Sequence, residues 1–380
     1  MSKKIFLRNL LSKLFTIFLF IFSFVLFSCS SFYHGLSDKN IFHPSLQSNK
    51  LGDKIENWED GSRIAGNKNE FEWWYFDGEL DDGSVIVVYF YRVHFIVDRY
   101  FIGLNLSSPG KDDYFKLKYF RKEDVFFEKD SCNVFMNKNH FMGNLKEYTI
   151  NIDPEDFDGI GLEIQLKSMV DPYRPQDGII KAENEYFAWL AAVPYGSVRG
   201  KLILDDVEKP ITGNGYHDHN WGNTPLQKLF KGWTWFRGHV QGYTIIAAEL
   251  NIIQERGGYD VPILFIADSS GHLLNIYGEN SLYTKKLRLI EDLYPKRNEP
   301  QFYDIKFLTE NNYLVSIESD SLIDNSYLFK RMGMPAPIRW LFGISKIDPF
   351  YTRFSATLSF RSKKDSIIKG SGIFEIMDLH

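Results

Sequence analysis

The chain has 380 residues, a formal net charge of −5, 16% aromatic residues and two cysteines. Without a long basic run it lacks the means to neutralise phosphates, so nucleic acid is excluded as a partner. Two cysteines give neither a disulfide framework nor a Cys-based zinc site, and no phosphate loop, Gly-x-Ser-x-Gly elbow or Cys-x-x-Cys pair occurs. Nucleotide hydrolysis, serine-hydrolase chemistry and dithiol redox chemistry are therefore unsupported.

At the N-terminus, Lys3, Lys4, Arg8 and Lys13 precede an apolar run from Leu14 to Phe27. That run is shorter than the roughly 20 residues a membrane span needs and reads as the core of an export signal. Leu26-Phe27-Ser28-Cys29 resembles a bacterial lipobox, which implies cleavage after residue 28 and a lipidated Cys29. Ser30 after the cysteine resembles lipoproteins sent on to an outer membrane. Residues 29–50 are polar and weakly patterned, as a tether from a lipid anchor is expected to be.

From Leu51 onward short strand-like runs alternate with turn signals. Asp81-Asp82-Gly83 separates two such runs and predicts a hairpin. The stretch Glu185 to Leu204 reads as strand, a turn at Pro194-Tyr195-Gly196, and strand. Asp205-Asp206 then turns into a strand carrying Gly213 to His219. The segment Leu282 to Arg297 is compatible with a helix or an irregular excursion, and Met334-Pro335-Ala336-Pro337 predicts a loop. Tyr351 to Phe360 and Ile367 to Met377 predict the last two strands. Many short strands and few helices define an all-β class, sandwich or antiparallel barrel.

The chain also repeats itself. Trp73-Trp74-Tyr75-Phe76-Asp77-Gly78 returns as Trp233-Thr234-Trp235-Phe236-Arg237-Gly238, an offset of 160. Gly213 to Asp218 returns as Gly370 to Glu375, an offset of 157. Two echoes at nearly equal offsets predict a duplicated unit, one over 51–222 and one over 223–380.

The densest chemistry is Tyr216-His217-Asp218-His219-Asn220-Trp221-Gly222. Alternation on a strand puts His217, His219 and Trp221 on one face and Tyr216, Asp218 and Asn220 on the other. Three uses compete. The His-x-His pair has two zinc ligands but lacks an evident third, so no metal and no cofactor are expected. Asp218, if buried beside Tyr216 and the second Trp motif, becomes a neutral general acid, and Trp233 and Trp235 would stabilise a cation formed by protonating an alkene. A polar network pinning the two units together is the third. Around the first Trp pair, Glu72 and Asp77 fall on opposite faces, and structural hydrogen bonding suits both. Arg92 and His94 share a face, inward to grip a head group or outward to solvent. Arg237 either stacks on Trp235 or holds Asp218, and in the second case Asp218 stays ionised.

These blocks resemble one lipocalin-like superfamily, which includes hydroxyneurosporene synthase (the CrtC-like carotenoid 1,2-hydratases) and the AttH component of an AttEFGH-type ABC transport system. The resemblance runs from about residue 60 to the C-terminus and implies two tandem lipocalin-like β-barrels. In the hydratases an acid of the Tyr-x-Asp-His-Asn block protonates an isoprenoid double bond; here that role falls on Asp218, flanked by His217 and His219. The ligand wall it implies is Trp73, Trp74, Tyr75, Tyr216, Asn220, Trp221, Trp233, Trp235 and Arg237. With a lipoprotein-like leader, the expected function is binding or handing over a hydrophobic small molecule or lipid at a bacterial membrane, with an ABC transporter as partner. The alternative is an isoprenoid hydratase.

Overall fold

The computed structural model describes residues 54–95, 97–175, 178–182, 184–278, 282–290, 301–309, 313–344, 347–361 and 366–380. The expected leader, the tether and Cys29 lie outside these residues.

Two antiparallel sheets account for nearly all of it. The first contains β1 (Phe71–Leu80), β2 (Val85–His94), β3 (Asp98–Ser107), β4 (Tyr114–Phe120), β5 (Val125–Phe127) and β6 (Cys132–Met136). It continues through β7 (Asn139–Gly143), β8 (Glu147–Ile152), β9 (Ile160–Ser168), β10 (Ile179–Ala182), β11 (Glu185–Leu204) and β12 (Val207–Gly222). Its order is β4-β3-β2-β1-β12-β11-β9-β8-β7-β6-β5, with β10 on β11, and it curls into a nearly closed barrel. The second, a half-barrel, contains β13 (Phe230–Val240), β14 (Tyr243–Ile252), β15 (Asp260–Asp268), β16 (Gly271–Tyr277) and β17 (Leu282–Ile290). Its remaining strands are β18 (Gln301–Thr309), β19 (Leu314–Tyr327), β20 (Phe350–Arg361) and β21 (Ile367–Asp378). Its order is β16-β15-β14-β13-β21-β20-β19-β18-β17. Two short helices, α1 (Leu328–Arg331) and α2 (Ala336–Ile344), join β19 to β20.

Alternation drives these strands. In β9, Leu162, Ile164 and Leu166 are buried while Glu163, Gln165 and Lys167 are exposed. The hairpin turns follow their residues: Gly83 takes φ 82° between β1 and β2, and Asp205 and Asp206 take φ 48° and 67° between β11 and β12. Three expectations change. Glu185 to Leu204 is one strand without a turn, because Pro194 is absorbed by ladder slips between Leu190 and Val193 and between Val193 and Gly196. Leu282 to Ile290 is strand, and residues 291–297 lie outside the described ones. Ala336 and Pro337 open α2 instead of a loop, since proline is tolerated in a first helical turn.

The sequence echo has a packing cause. Phe76 pairs across the ladder with His217, two residues from the Gly78–Gly215 pair. A Cβ on Gly78 would come within 3.0 Å of the Phe76 ring, and one on Gly215 within 2.9 Å. In the second sheet Phe236 pairs with Phe374 beside the Gly238–Gly372 pair. Cβ atoms there would come within 2.5 Å and 2.6 Å of the Phe236 ring. Each phenyl ring thus lies over two facing glycines, a unit that needs all three residues. The same registers set Tyr75 opposite Asp218 and Trp235 opposite Glu375.

Apolar residues gather in three places. One cluster fills the first barrel around Trp74, Phe76, Phe90 and Phe141. One lines the half-barrel around Phe236, Phe307 and Phe354. The third joins the sheets, combining Phe71, Tyr173, Phe187, Trp189 and Tyr216 with Phe230, Trp235, Ile246 and Phe265.

Candidate functional site

The central strand β12 presents one face to each of two environments, as its alternation predicts. Toward the first barrel, His217 and His219 are fully buried. His217 Nδ1 faces the Tyr75 carbonyl at 2.8 Å and Nε2 faces Asp60 Oδ2 at 3.2 Å. His219 Nε2 meets Glu72 Oε1 at 3.0 Å, and Nδ1 meets the Glu59 carbonyl at 3.2 Å. Trp74 stacks on His219 with centroids 4.6 Å apart and donates its indole N–H to the Asp60 carbonyl. Arg92 Nε donates to Glu72 Oε2 at 2.7 Å. Burial alone would raise the Glu72 carboxyl, but Arg92 and His219 hold it below its ordinary value. Arg92 and His94 are both buried; His94 meets Asp98. These groups form a buried polar network inside the first sheet, so it does not join the two units as the third sequence expectation has it.

Metal chemistry was set aside for want of a third ligand. The fold supplies donors that spacing did not reveal: ligand atoms of Asp60, Cys132 and His217 lie within 4.8 Å of one another. Burial, however, pushes the Cys132 thiol well above its ordinary value, which keeps it protonated and a poor ligand. Asp60 Oδ2 is taken by Tyr148 and His217.

The opposite face of β12 enters the layer between the sheets. There Asp218 accepts hydrogen bonds from Trp189 Nε1 at 3.1 Å, Tyr216 Oη at 2.8 Å and Asn220 Nδ2 at 2.6 Å. All three donors are neutral. Burial is the main influence on this carboxyl and raises it from 3.8 to about 7, against the pull of those donors and of His217. Tyr216 meets the ring of Trp235 edge-on at 5.1 Å and lies 6.3 Å from Tyr75. Trp73 stacks between Phe71 at 5.4 Å and Tyr91 at 5.3 Å, and Trp233 meets Phe230 edge-on at 6.2 Å.

Arg237 touches neither expected partner. It pairs with Asp77, its Nε donating to Asp77 Oδ2 at 3.0 Å, and reaches Glu79. Asp77 in turn accepts from Tyr75 Oη, whose oxygen also accepts from Arg353, and Arg353 pairs with Glu375. An ionic seam thus ties the two sheets beside Asp218 without including it. Among the described residues, no lysine or arginine pairs with Asp218.

The structure therefore brings Asp218, Tyr216, Asn220, Trp73, Tyr75, Trp233 and Trp235 to the inter-sheet side, with Arg237 in the adjoining seam. It places His217, His219, Trp74 and Trp221 on the barrel side. Two residues of the layer escaped sequence reasoning. Trp189 is the indole donor to Asp218, and Tyr173 packs edge-on to Trp189 at 6.1 Å and stacks on Phe265 at 4.2 Å. The buried Tyr173 hydroxyl has no hydrogen-bond partner among the described residues. Trp189 carried a legible signal as the one tryptophan of its strand; Tyr173, in a loop, carried none.

The fold is all-β, with one nearly closed barrel sheet and one half-barrel sheet, and it is similar to solved structures named as AttH and as a hydratase. A Nitrosomonas europaea protein assigned as AttH superposes with a TM-score of 0.57 at 16% identity, over 82% of this chain and 93% of that one. Kievitone hydratase from Nectria haematococca superposes with a TM-score of 0.53 at 13% identity, over 82% and 89%. In sequence, a hydroxyneurosporene dehydrogenase of Chlorobaculum tepidum is 22% identical over 211 residues, 44% of this chain. That match spans about half, 53%, of the curated relative's length. No family model matches the chain.

Proposed function

We propose that this protein binds a hydrophobic, alkene-bearing molecule in the aromatic layer between its sheets and that Asp218 protonates it. The observation that carries this is a carboxyl raised to about 7 and held by neutral donors alone, while Arg237 is spent on Asp77. Asp218 transfers its proton to one alkene carbon, leaving a cation at the other that the faces of Trp235 and Trp233 stabilise. Water adds to the cation and returns a proton to the carboxylate, so the sum is hydration of a C=C bond. The unpartnered Tyr173 hydroxyl supports a polar group on the ligand, because burying it unpaired costs roughly 1–3 kcal/mol. Likeness in fold to a protein named as a hydratase supports the chemistry, although one scaffold hosts many activities.

The second function is carriage without chemistry, as the AttH-like partner of an ABC transporter. The lipobox-like Leu26 to Cys29 favours it, since a lipid anchor at an outer membrane suits handing over lipid or isoprenoid cargo. Native mass spectrometry with lipid extraction, on the chain purified from its own membranes, separates the two. A pair differing by one water, with the hydrated member lost in Asp218→Asn, is the expected result. A single unmodified ligand retained by Asp218→Asn would replace hydration with carriage, and an empty protein in both forms would defeat both.

A further inference from the structure

The connection between β19 and β20 is built inside out. Helix α2 has the sequence Ala-Pro-Ile-Arg-Trp-Leu-Phe-Gly-Ile and buries none of its residues. Its one charged side chain, Arg339, is turned toward the fold over the Tyr327 ring at 5.8 Å, and Phe342 packs on Phe329 at 5.0 Å. The apolar residues face solvent instead: Trp340 is 67% exposed, Ile344 61%, Ile338 44% and Leu341 37%, with Met332 adding 44%. Scattered exposed leucines are ordinary, but five large apolar side chains on one excursion form a patch that soluble surfaces avoid.

We propose that α2 is a membrane-contact helix, seated on the bilayer surface with Trp340 at head-group depth. Three features select a lipid surface. The helix is nine residues, about 14 Å at 1.5 Å per residue, so it lies on a bilayer and cannot cross one. A protruding tryptophan with exposed aliphatic residues on the same helix suits the apolar–polar boundary, and exposed Lys330 in the preceding helix α1 suits anionic head groups. Finally, the proposed anchor at Cys29 lies 25 residues before Lys54, a span of no more than about 90 Å. A bilayer is then within reach of the patch. The inference rests on the membrane location proposed above and deepens it: the fold would touch the membrane at a second point, on the sheet that supplies Trp233 and Trp235.

The test uses the whole chain in anionic vesicles. An environment-sensitive NBD dye is placed at Trp340→Cys and, as a control of equal exposure (67%) on the first sheet, at Val207→Cys; Cys132 is buried. Position 340 should brighten several-fold and shift to shorter wavelength with vesicles, while position 207 stays unchanged. Ile344→Glu should abolish that response and leave the melting temperature in place, because Ile344 packs on little. A chain that floats with vesicles while the dye at 340 stays silent keeps the anchor and overturns the helix proposal. A response that follows protein concentration without lipid replaces the bilayer with a second copy of the chain. Failure of the chain to float, with a silent dye, overturns both anchor and helix.

Discussion

Asp218 and Glu375 occupy equivalent places in the two sheets, one opposite Tyr75 and the other opposite Trp235. Their surroundings differ in one respect that decides their chemistry. Glu375 is met by the Arg353 guanidinium and the Tyr351 hydroxyl, so its charge is compensated. Asp218 is met by an indole, a phenol and an amide, which bond to it without cancelling charge. Both sheets keep the ladder and the Phe–Gly–Gly packing unit; in one the acid forms an ion pair that helps tie the sheets, and in the other it is a buried carboxyl met by neutral donors. A buried carboxyl raised by desolvation, with no cation paired to it, is a candidate for acid chemistry.

Breaking the ion-paired copy should have the largest effect. Glu375→Gln leaves Arg353 buried without its carboxylate, and loss of one partner from such a pair costs about 3–5 kcal/mol. Urea denaturation should show that loss, whereas Asp218→Asn at pH 7.5 should cost far less. Equal losses for the two variants would erase the distinction between the copies.

The next effect is one of pH. Asp218 in the folded state titrates near 7, against an ordinary value near 4 when unfolded. Between those values the native state binds the extra proton, so stability falls as pH rises from about 4 to about 7 and is flat below that window. The group's contribution is on the order of 2–4 kcal/mol across it. Glu59, raised by burial to about 7, acts with the same sign. Asp218→Asn should remove its share of the slope, read from denaturation midpoints at pH 5 and pH 8. If hydration is the activity, the rate should decline above pH 7, where Asp218 has lost the proton it donates.

A smaller effect tests the shared packing unit. Gly215→Ala puts a methyl group against Phe76 and Val198, which should cost about 1–3 kcal/mol. Gly238→Ala, against Phe236, should cost a similar amount by thermal unfolding if the units are equivalent in packing.

Much of this was legible because strands obey a two-residue period. The two faces of Tyr216 to Trp221, the Asp81–Gly83 hairpin and the register shared by the repeats all follow from alternation and turn chemistry. What stayed hidden depends on distant segments. Asp60, which meets His217, comes from a short 3-10 turn 157 residues earlier, and no local pattern announces it. Arg237 shows the same limit: its face was readable, but its partner Asp77 belongs to the other sheet. The Pro194 slip was missed because proline in a strand and proline in a turn look alike until the neighbouring ladder is known.

The finest test is Tyr216→Phe. The phenol donates to Asp218 Oδ2 and favours the ionised carboxylate, so its removal should push the Asp218 titration further upward. A hydrogen bond to a charged group is worth about 1.5–3 kcal/mol, and Trp189 and Asn220 remain to offset part of it. A net rise of about one unit, or about 1.4 kcal/mol, is expected. Infrared difference spectra of the carboxyl stretch across pH would read it, with Asp218→Asn identifying the band. A downward shift would mean that Tyr216 chiefly accepts a hydrogen bond from the neutral acid, so that Tyr216 holds the proton in place and its loss makes Asp218 the stronger acid.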